Sequence, residues 1–374
     1  VALHHVISII YRLPASGLPE PEPPVSRRAT LTAVAEAAGV STATVDRMLN
    51  SRLPVREATA LRIIEAAERI GYHGAPLMRL RLQERADRTV RTLGFCLLRR
   101  HEAFYQALGR ELNAATARHP SPGMAVIEYM EAVEPAAIAQ QLLELGREVD
   151  ALAVVAVDHP HVTDAIHTLH AAGKPVFTLL SDLSAPLRAG FVGVDPRKSG
   201  RTAAWAVSRL AKAAGPVAVF VGSHRYLGHE ACEMSFRAYL REHAPAFRVL
   251  DTQVNLEDAQ IAHEATLDLL RRHPDLAGIY DAGGGGAAGM IRALRMERPP
   301  GHPQGHVVTV CNELTGDHRA ALVEGVVDLV LVTPLAKITQ TVVDAMHAAL
   351  DQPKALPRAM QMAVPVEVCT AENV

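Results

Sequence analysis

The chain predicts a small all-α domain followed by a two-lobed α/β unit built on parallel sheets, and three observations carry that expectation. Residues 30–50, TLTAVAEAAGVSTATVDRMLN, place apolar side chains at helical spacing on both sides of a glycine. From Thr92 onward, short runs of Val, Leu, Ile and Ala alternate with longer amphipathic segments, the pattern of strands joined by crossover helices. About 280 residues remain after the helical part, too many for one small domain and right for two lobes.

The first 25 residues stand apart. VALHHVISIIYRL holds a short apolar run without a basic n-region, and GLPEPEPPVSRR follows it. Residues 1–25 therefore read as a disordered lead-in or a start-site extension rather than a signal peptide. The helical domain occupies 26–72. Leu31, Val34, Ala35 and Ala38 share a face, Gly39 supplies a left-handed helix end, Ser41 caps the second helix, and Val45, Met48 and Leu49 close a small core. Thr42, Ala43, Thr44 and Arg47 are then left facing out. Short side chains at the front of a second helix, with arginine one turn on, suit close approach to base edges in a DNA major groove. ATALRIIEAAERIGY continues as a third helix with Leu61, Ile64, Ala67 and Ile70 on one stripe. Between Ser26 and Arg91 stand twelve Arg against seven Asp plus Glu, whereas the whole chain carries −2. The basic end is the one that would meet phosphate.

With those residues in view, 30–72 resembles the DNA-binding headpiece of the lactose-repressor (LacI/GalR) family. The order T-L-x-x-V-A-x-x-A-G-V-S-x-x-T-V-x-R-x-L-N, a valine-containing loop, T-x-x-x-I-x-x-A-A and Gly71-Tyr72 is present without gaps. The resemblance implies base reading by Thr42, Ala43 and Arg47 and phosphate contacts from Thr30, Ser41, Thr44, Asn50 and Arg56. Residues 73–91 depart from the family. Where the family has Asn-Pro-x-Ala leading into a minor-groove hinge helix, this chain has HGAPLMRLRLQERADR. Leu80 or Leu82 could act as the wedge, with Arg79 and Arg81 against the backbone; the alternative is a basic linker.

The α/β part, 92–374, opens with TLGFCLL, MAVIEYM, ALAVVAV and PVFTLL as strands. A second set follows: PVAVFVG, FRVLDTQ, LAGIYDAG, VVTVCNE and DLVLVTP, then a long last helix LAKITQTVVDAMHAAL. It resembles the type I periplasmic-binding fold, the effector domain of the same family. FVGVDPRKSGRTAAWAV, HPDLAGIYDAGGGGAAGMIRAL and VCNELTGDHRAALVEGVVDLVLVTP carry the likeness. Asp195-Pro196 departs from a frequent Asp-Asn.

Ligands of open parallel sheets bind beyond the carboxyl ends of the strands. That rule selects Phe104, Tyr105, Asp158, Asp182, Arg225, Glu230, Asp281 and Glu313 as ligand-binding candidates; family position also favours Asp182 and Glu313. Carboxylates accept from vicinal hydroxyls and aromatic faces cover a sugar's C–H face, so a sugar, polyol or cyclitol is expected. Glu230 and Cys232 occupy the positions of the family's usual arginine, leaving Arg225 as positive partner. A carboxylate at a strand tip can equally be a helix cap, and Phe104 and Tyr105 can equally be core. Gly283–Gly286 lacks the Lys-Ser/Thr of a phosphate loop and reads as a pocket rim or a close backbone approach.

Other classes find little support. Eighteen histidines are scattered without H-E-x-x-H, and Cys96, Cys232, Cys311 and Cys369 form no C-x-x-C, so neither a catalytic nor a metal or redox site is indicated. No cofactor is expected, and no stretch is long and apolar enough to span a bilayer. The expectation is a cytoplasmic homodimeric repressor of double-stranded operator DNA, responsive to a small hydroxyl-rich effector. The rivals are a transporter's solute-binding protein without a DNA role and a regulator of a non-carbohydrate ligand.

Overall fold

The computed structural model describes residues 29–50, 55, 57–86, 90–131, 134–351 and 360–374. The expected lead-in, 1–25, lies outside them, as does Arg56. The chain divides into two compact units, the second starting at Glu84.

The first unit holds α1 (Leu31–Ala38), α2 (Thr42–Asn50), α3 (Glu57–Arg69) and most of α4 (Ala75–Ala86). Thr30 caps α1 by accepting from the Ala33 N–H, and Gly39 ends it at φ 65°, a conformation that costs glycine little. Val34, Ala35, Val45 and Met48 are buried, joined by Ala60, Ile63, Ile64 and Ala67 of α3 and by Met78 of α4. The face of α3 differs from the expected stripe. Leu61 is exposed, and the buried set runs through Ala60 and Ile63 instead, because contact with two helices at once widens the covered face.

The second unit begins with β1 (Arg91–Leu98), α5 (Ala103–Arg118), β2 (Gly123–Met130), α6 (Pro135–Glu148), β3 (Ala151–Val154), α7 (Pro160–Ala171), β4 (Val176–Leu179) and β5 (Gly190–Val194). It continues through α8 (Pro196–Leu210), β6 (Pro216–Val221), α9 (Leu227–His243), β7 (Arg248–Val249), β8 (Gln253–Val254) and α10 (Ala259–Arg272). Then come β9 (Gly278–Asp281), α11 (Ala287–Glu297), β10 (Val308–Asn312), α12 (Gly316–Glu324), β11 (Leu329–Val332), α13 (Leu335–Asp351), β12 (Met360–Val364) and β13 (Glu367–Cys369). One sheet, ordered β12-β5-β4-β3-β1-β2, is wholly parallel. The other runs β13-β11-β10-β9-β6-β7 with β8 also on β6, and only β13 is antiparallel within it. FRVLDTQ, expected as one strand, is the broken pair β7 and β8.

Each sheet is the core of one lobe, buried strands between helices. Among the described residues the chain crosses between lobes three times: at Asp195, at Thr333-Pro334 and at Pro365-Val366. Asp195 caps α8 by accepting from the Arg197 and Lys198 N–H groups, and Pro196 fills the first helical position, where its missing N–H costs nothing.

Candidate functional site

The exposed side of α2 is built by its own caps. The Ser41 hydroxyl accepts from the Thr44 N–H at 3.2 Å and lies 2.8 Å from the Thr44 hydroxyl. Thr42 and Ala43 are exposed and unencumbered by bulk. Arg47 is folded along the helix, Nε donating to the Ala43 carbonyl at 3.2 Å and Nη2 to Thr44 Oγ1 at 3.1 Å. Reaching a base edge means exchanging two local hydrogen bonds for contacts to DNA. Asn50 donates to Asp46 at 2.7 Å. In α4, Met78 is fully buried and Leu82 packs on the same core, while Leu80 is 54% exposed. Arg79 makes a two-pronged contact with Glu68, 2.7 Å at each nitrogen. Of the two wedge candidates, only Leu80 is free of the headpiece core.

In the second unit a cavity of about 510 Å³ lies between the lobes, within the size range of small-molecule sites. The first lobe contributes Glu102, Phe104, Tyr105 and Ser181. The second supplies Tyr226, His229, Glu257, Glu313 and His318, and the crossover residue Thr333 lies between. Glycines 283–285 line it as well. A Cβ on Gly285 would press on Glu257, and one on Gly286 would meet the Asn255 amide. The glycine run is thus a close backbone approach, letting the 255–257 loop sit against the start of α11.

Of the sequence candidates, Phe104, Tyr105 and Glu313 line the cavity, and Asp281 lies beneath Ala282 and Gly283, which do. The other four are not among its lining residues. Asp182 receives Arg188 through two nitrogens, both at 2.7 Å, together with Thr178, Gln361 and the Leu183 N–H. Burial pushes its carboxyl up, and the hydrogen bonds from Arg188, Gln361 and Thr178 more than reverse this, holding it below its usual range. Asp158 accepts from the Ser184 N–H and hydroxyl at 2.8 and 2.9 Å. Arg225 is exposed and gives its carbonyl to the Asp158 N–H at 2.8 Å, a contact between lobes; Glu230 is exposed on α9.

Two residues the sequence reading passed over are prominent in the cavity. Glu257 follows the two-residue β8, and its backbone, like that of Leu256, is left-handed at φ 57° and 52°. From the opposite lobe Arg99, itself at φ 37°, donates to Glu257 at 3.2 Å, to Glu102 at 3.0 Å and to the Leu256 carbonyl at 3.2 Å. Burial pushes the Glu257 carboxyl up to about 7 against the pull of Arg99. The second is His318, which completes a capping box with Thr315 and is 1% exposed. Burial lowers it to about 4, so the ring is neutral at pH 7. Glu313, at φ 64°, accepts from the Thr333 hydroxyl, and burial raises it to about 7; Asp281 rises to about 6 for the same reason, against backbone hydrogen bonds from Gly283 and Gly284. His229 falls to about 4 through burial and the nearby His224. Among the described residues no His/Cys/Asp/Glu group could hold a metal ion, and no helix is long and apolar enough to cross a membrane.

Comparison with known proteins agrees with this two-part architecture. Residues 30–74 match the model of bacterial regulatory proteins of the lacI family, and residues 101–354 match the periplasmic binding protein domain. Among solved structures, the chain is similar to a solute binding protein of an ABC transporter from Burkholderia graminis in complex with D-arabinose, at 18% identity and TM-score 0.68 over 77% of this chain and 97% of that one. A glucose-galactose binding protein from Geobacillus stearothermophilus aligns at 15% identity and TM-score 0.68, covering 76% and 99%. A periplasmic ribose ABC transporter structure from Conexibacter woesei aligns at 21% identity and TM-score 0.65, covering 76% and 93%. No curated protein matches.

Proposed function

The chain belongs to the periplasmic binding protein domain family in its LacI/GalR form, with a lacI-family headpiece ahead of the two lobes, and from that premise we propose that it is a sequence-specific DNA-binding repressor controlled by a small hydroxyl-rich ligand. The observation that carries the proposal is one chain holding both parts: a helix-turn-helix with Thr42, Ala43 and Arg47 on its outer side, and an inter-lobe cavity with carboxylates and aromatic rings on its walls. On this reading the protein is cytoplasmic, homodimeric and not an enzyme. Each headpiece reads one half-site of a pseudo-palindrome. Thr30, Ser41, Thr44, Asn50 and Arg56 serve phosphates, and Leu80 is the wedge.

Ligand control requires unequal affinity for two lobe arrangements. The inter-lobe contacts of Arg99, of Asp158 with Arg225, and of Ser181 with the Gly228 N–H at 3.1 Å are interactions such a change would break or tighten. A transport role without DNA would leave the headpiece unexplained.

The test is fluorescence-polarisation binding of the full chain to the DNA upstream of its own gene at about 150 mM salt, with and without sugars, polyols and cyclitols. Specific binding shifted by one of them is the expected result. Absence of specific binding to any segment of that DNA would overturn the regulatory reading.

A further inference from the structure

The cavity has an unusual charge inventory. Glu102, Glu257, Asp258, Glu313 and Asp317 line it, and no lysine or arginine among the described residues does. Three of these carboxylates have partners of their own, and Asp317 is exposed in the first turn of α12. Arg99 serves Glu102 and Glu257, and Asp258 caps α10 by accepting from the Gln260 and Ile261 N–H groups. Glu313 and the neighbouring Asp281 differ. Neither has an ion pair among the described residues. Glu313 receives the Thr333 hydroxyl and backbone N–H, both neutral donors, and Asp281, 1% exposed, has only the backbone of Gly283, at 3.4 Å from Oδ1, and of Gly284, while Oδ2 has no partner. They sit at adjacent strand ends, since Asp281 pairs across the sheet with Cys311, two residues before Glu313. A buried carboxylate without a counter-charge is costly, and these two await one.

A second, independent orphan belongs to the same cavity. His318 is almost completely buried and lines it; its Nδ1 takes the Thr315 N–H at 3.3 Å and lies 2.9 Å from the Thr315 hydroxyl, a free rotor able to donate to it, so the tautomer that satisfies both has its proton on Nε2, and Nε2 has no partner. One donor therefore awaits an acceptor, as a ligand hydroxyl would provide, beside carboxylates that await a cation. Phe104, Tyr105 and Tyr226 supply rings suited to the C–H face of a small ring or to an ammonium. Resting on the proposed effector role, and narrowing it, we propose that the ligand is a hydroxylated primary amine such as an amino sugar or aminocyclitol, its ammonium held at Glu313, with the Asp281 charge beneath the wall adding to the field there, and a hydroxyl on His318 Nε2.

The test is isothermal titration of the full chain at neutral pH with matched pairs: D-glucosamine against D-glucose, D-galactosamine against D-galactose, and an inosamine against myo-inositol. At least one amine should bind about tenfold or more tightly than its hydroxyl parent, the scale of a charge-assisted hydrogen bond in a buried site. Glu313→Gln should remove most of that preference, weakening the amine about tenfold more than its hydroxyl parent. Parents binding as tightly as their amines would overturn the proposal and leave the hydroxyl-rich ligand in place. Binding of none of the six at about 10 mM would overturn it too; DNA affinity then unmoved by the wider carbohydrate panel would remove the ligand class as well. The wild-type comparison decides these outcomes whether or not the variant folds.

Discussion

Glu313→Gln is expected to stabilise the ligand-free protein at high pH and to leave it nearly unchanged at low pH. The Glu313 carboxyl rises from an ordinary 4.5 to about 7 on burial. Below about pH 4.5 it is protonated folded and unfolded, and contributes no difference. Between the two values the unfolded chain releases its proton and the folded chain keeps it, so stability falls as pH rises. Above about 7 both are ionised and the deficit is complete. At about 1.4 kcal/mol per pH unit the full deficit is about 3 kcal/mol. Glutamine has no charge to bury and can still accept from Thr333. Urea unfolding of wild type and variant at several values between about pH 5 and pH 8 measures this directly. The single tryptophan, Trp205, lies in α8 of the second unit, so its fluorescence reports the unit concerned. A difference growing by about 3 kcal/mol toward pH 8 is expected. A difference that does not change with pH, or one favouring wild type at pH 8, would refute the burial argument.

Arg47→Ala should erase discrimination between an operator and its variants at one base position by about 1–3 kcal/mol; in polarisation binding, a uniform loss of affinity with discrimination intact would count against base reading. Gly200→Ala should cost about 1–3 kcal/mol of stability, because a Cβ there runs into the Cys232 carbonyl of α9, where backbone cannot step aside; thermal unfolding checks it. Arg99→Met strips Glu102 and Glu257 of their shared cation. The loss should be about 3–5 kcal/mol at neutral pH and smaller near pH 5, where Glu257 is protonated, as urea titrations at the two pH values will show.

What the sequence disclosed follows from what is local. The cap at Ser41, the left-handed Gly39 and the alternation of strands and helices are set by neighbouring residues, and the structure has them where spacing puts them. The strand-tip rule reached Glu313, Phe104 and Tyr105 because β10 and β1 are continuous apolar runs. It did not reach Glu257, since β8 has two residues and no run to announce it. His318 was hidden differently: in TGDHRAAL it looks like an ordinary helical position, and only burial reveals the free nitrogen. Asp182 and Asp158 satisfy the same rule as Glu313, yet Arg188 and Ser184 occupy their oxygens. The difference lies in what the chain brings back from elsewhere, Gln361 to Asp182 above all, and no local pattern encodes that.

The strained backbone and the ion pair around Arg99 meet at one place, and that bears on how a ligand could act. Arg99, Leu256 and Glu257 are all non-glycine residues at positive φ, each costing about 1–3 kcal/mol unless its surroundings hold it there. Within its own lobe the loop is held by the Asn255 side chain, which accepts from the Glu257 N–H at 2.8 Å, and across the lobes by the bonds from Arg99 to Glu257 and to the Leu256 carbonyl. Separating the lobes would strand Glu257 and at the same time free the strained loop of its contact to Arg99, so the two effects oppose one another. A ligand's differential affinity, typically about 1–3 kcal/mol of coupling, acts on their difference. On the proposed reading the cavity therefore needs no long relay to the lobe contact, because Glu257 belongs to both.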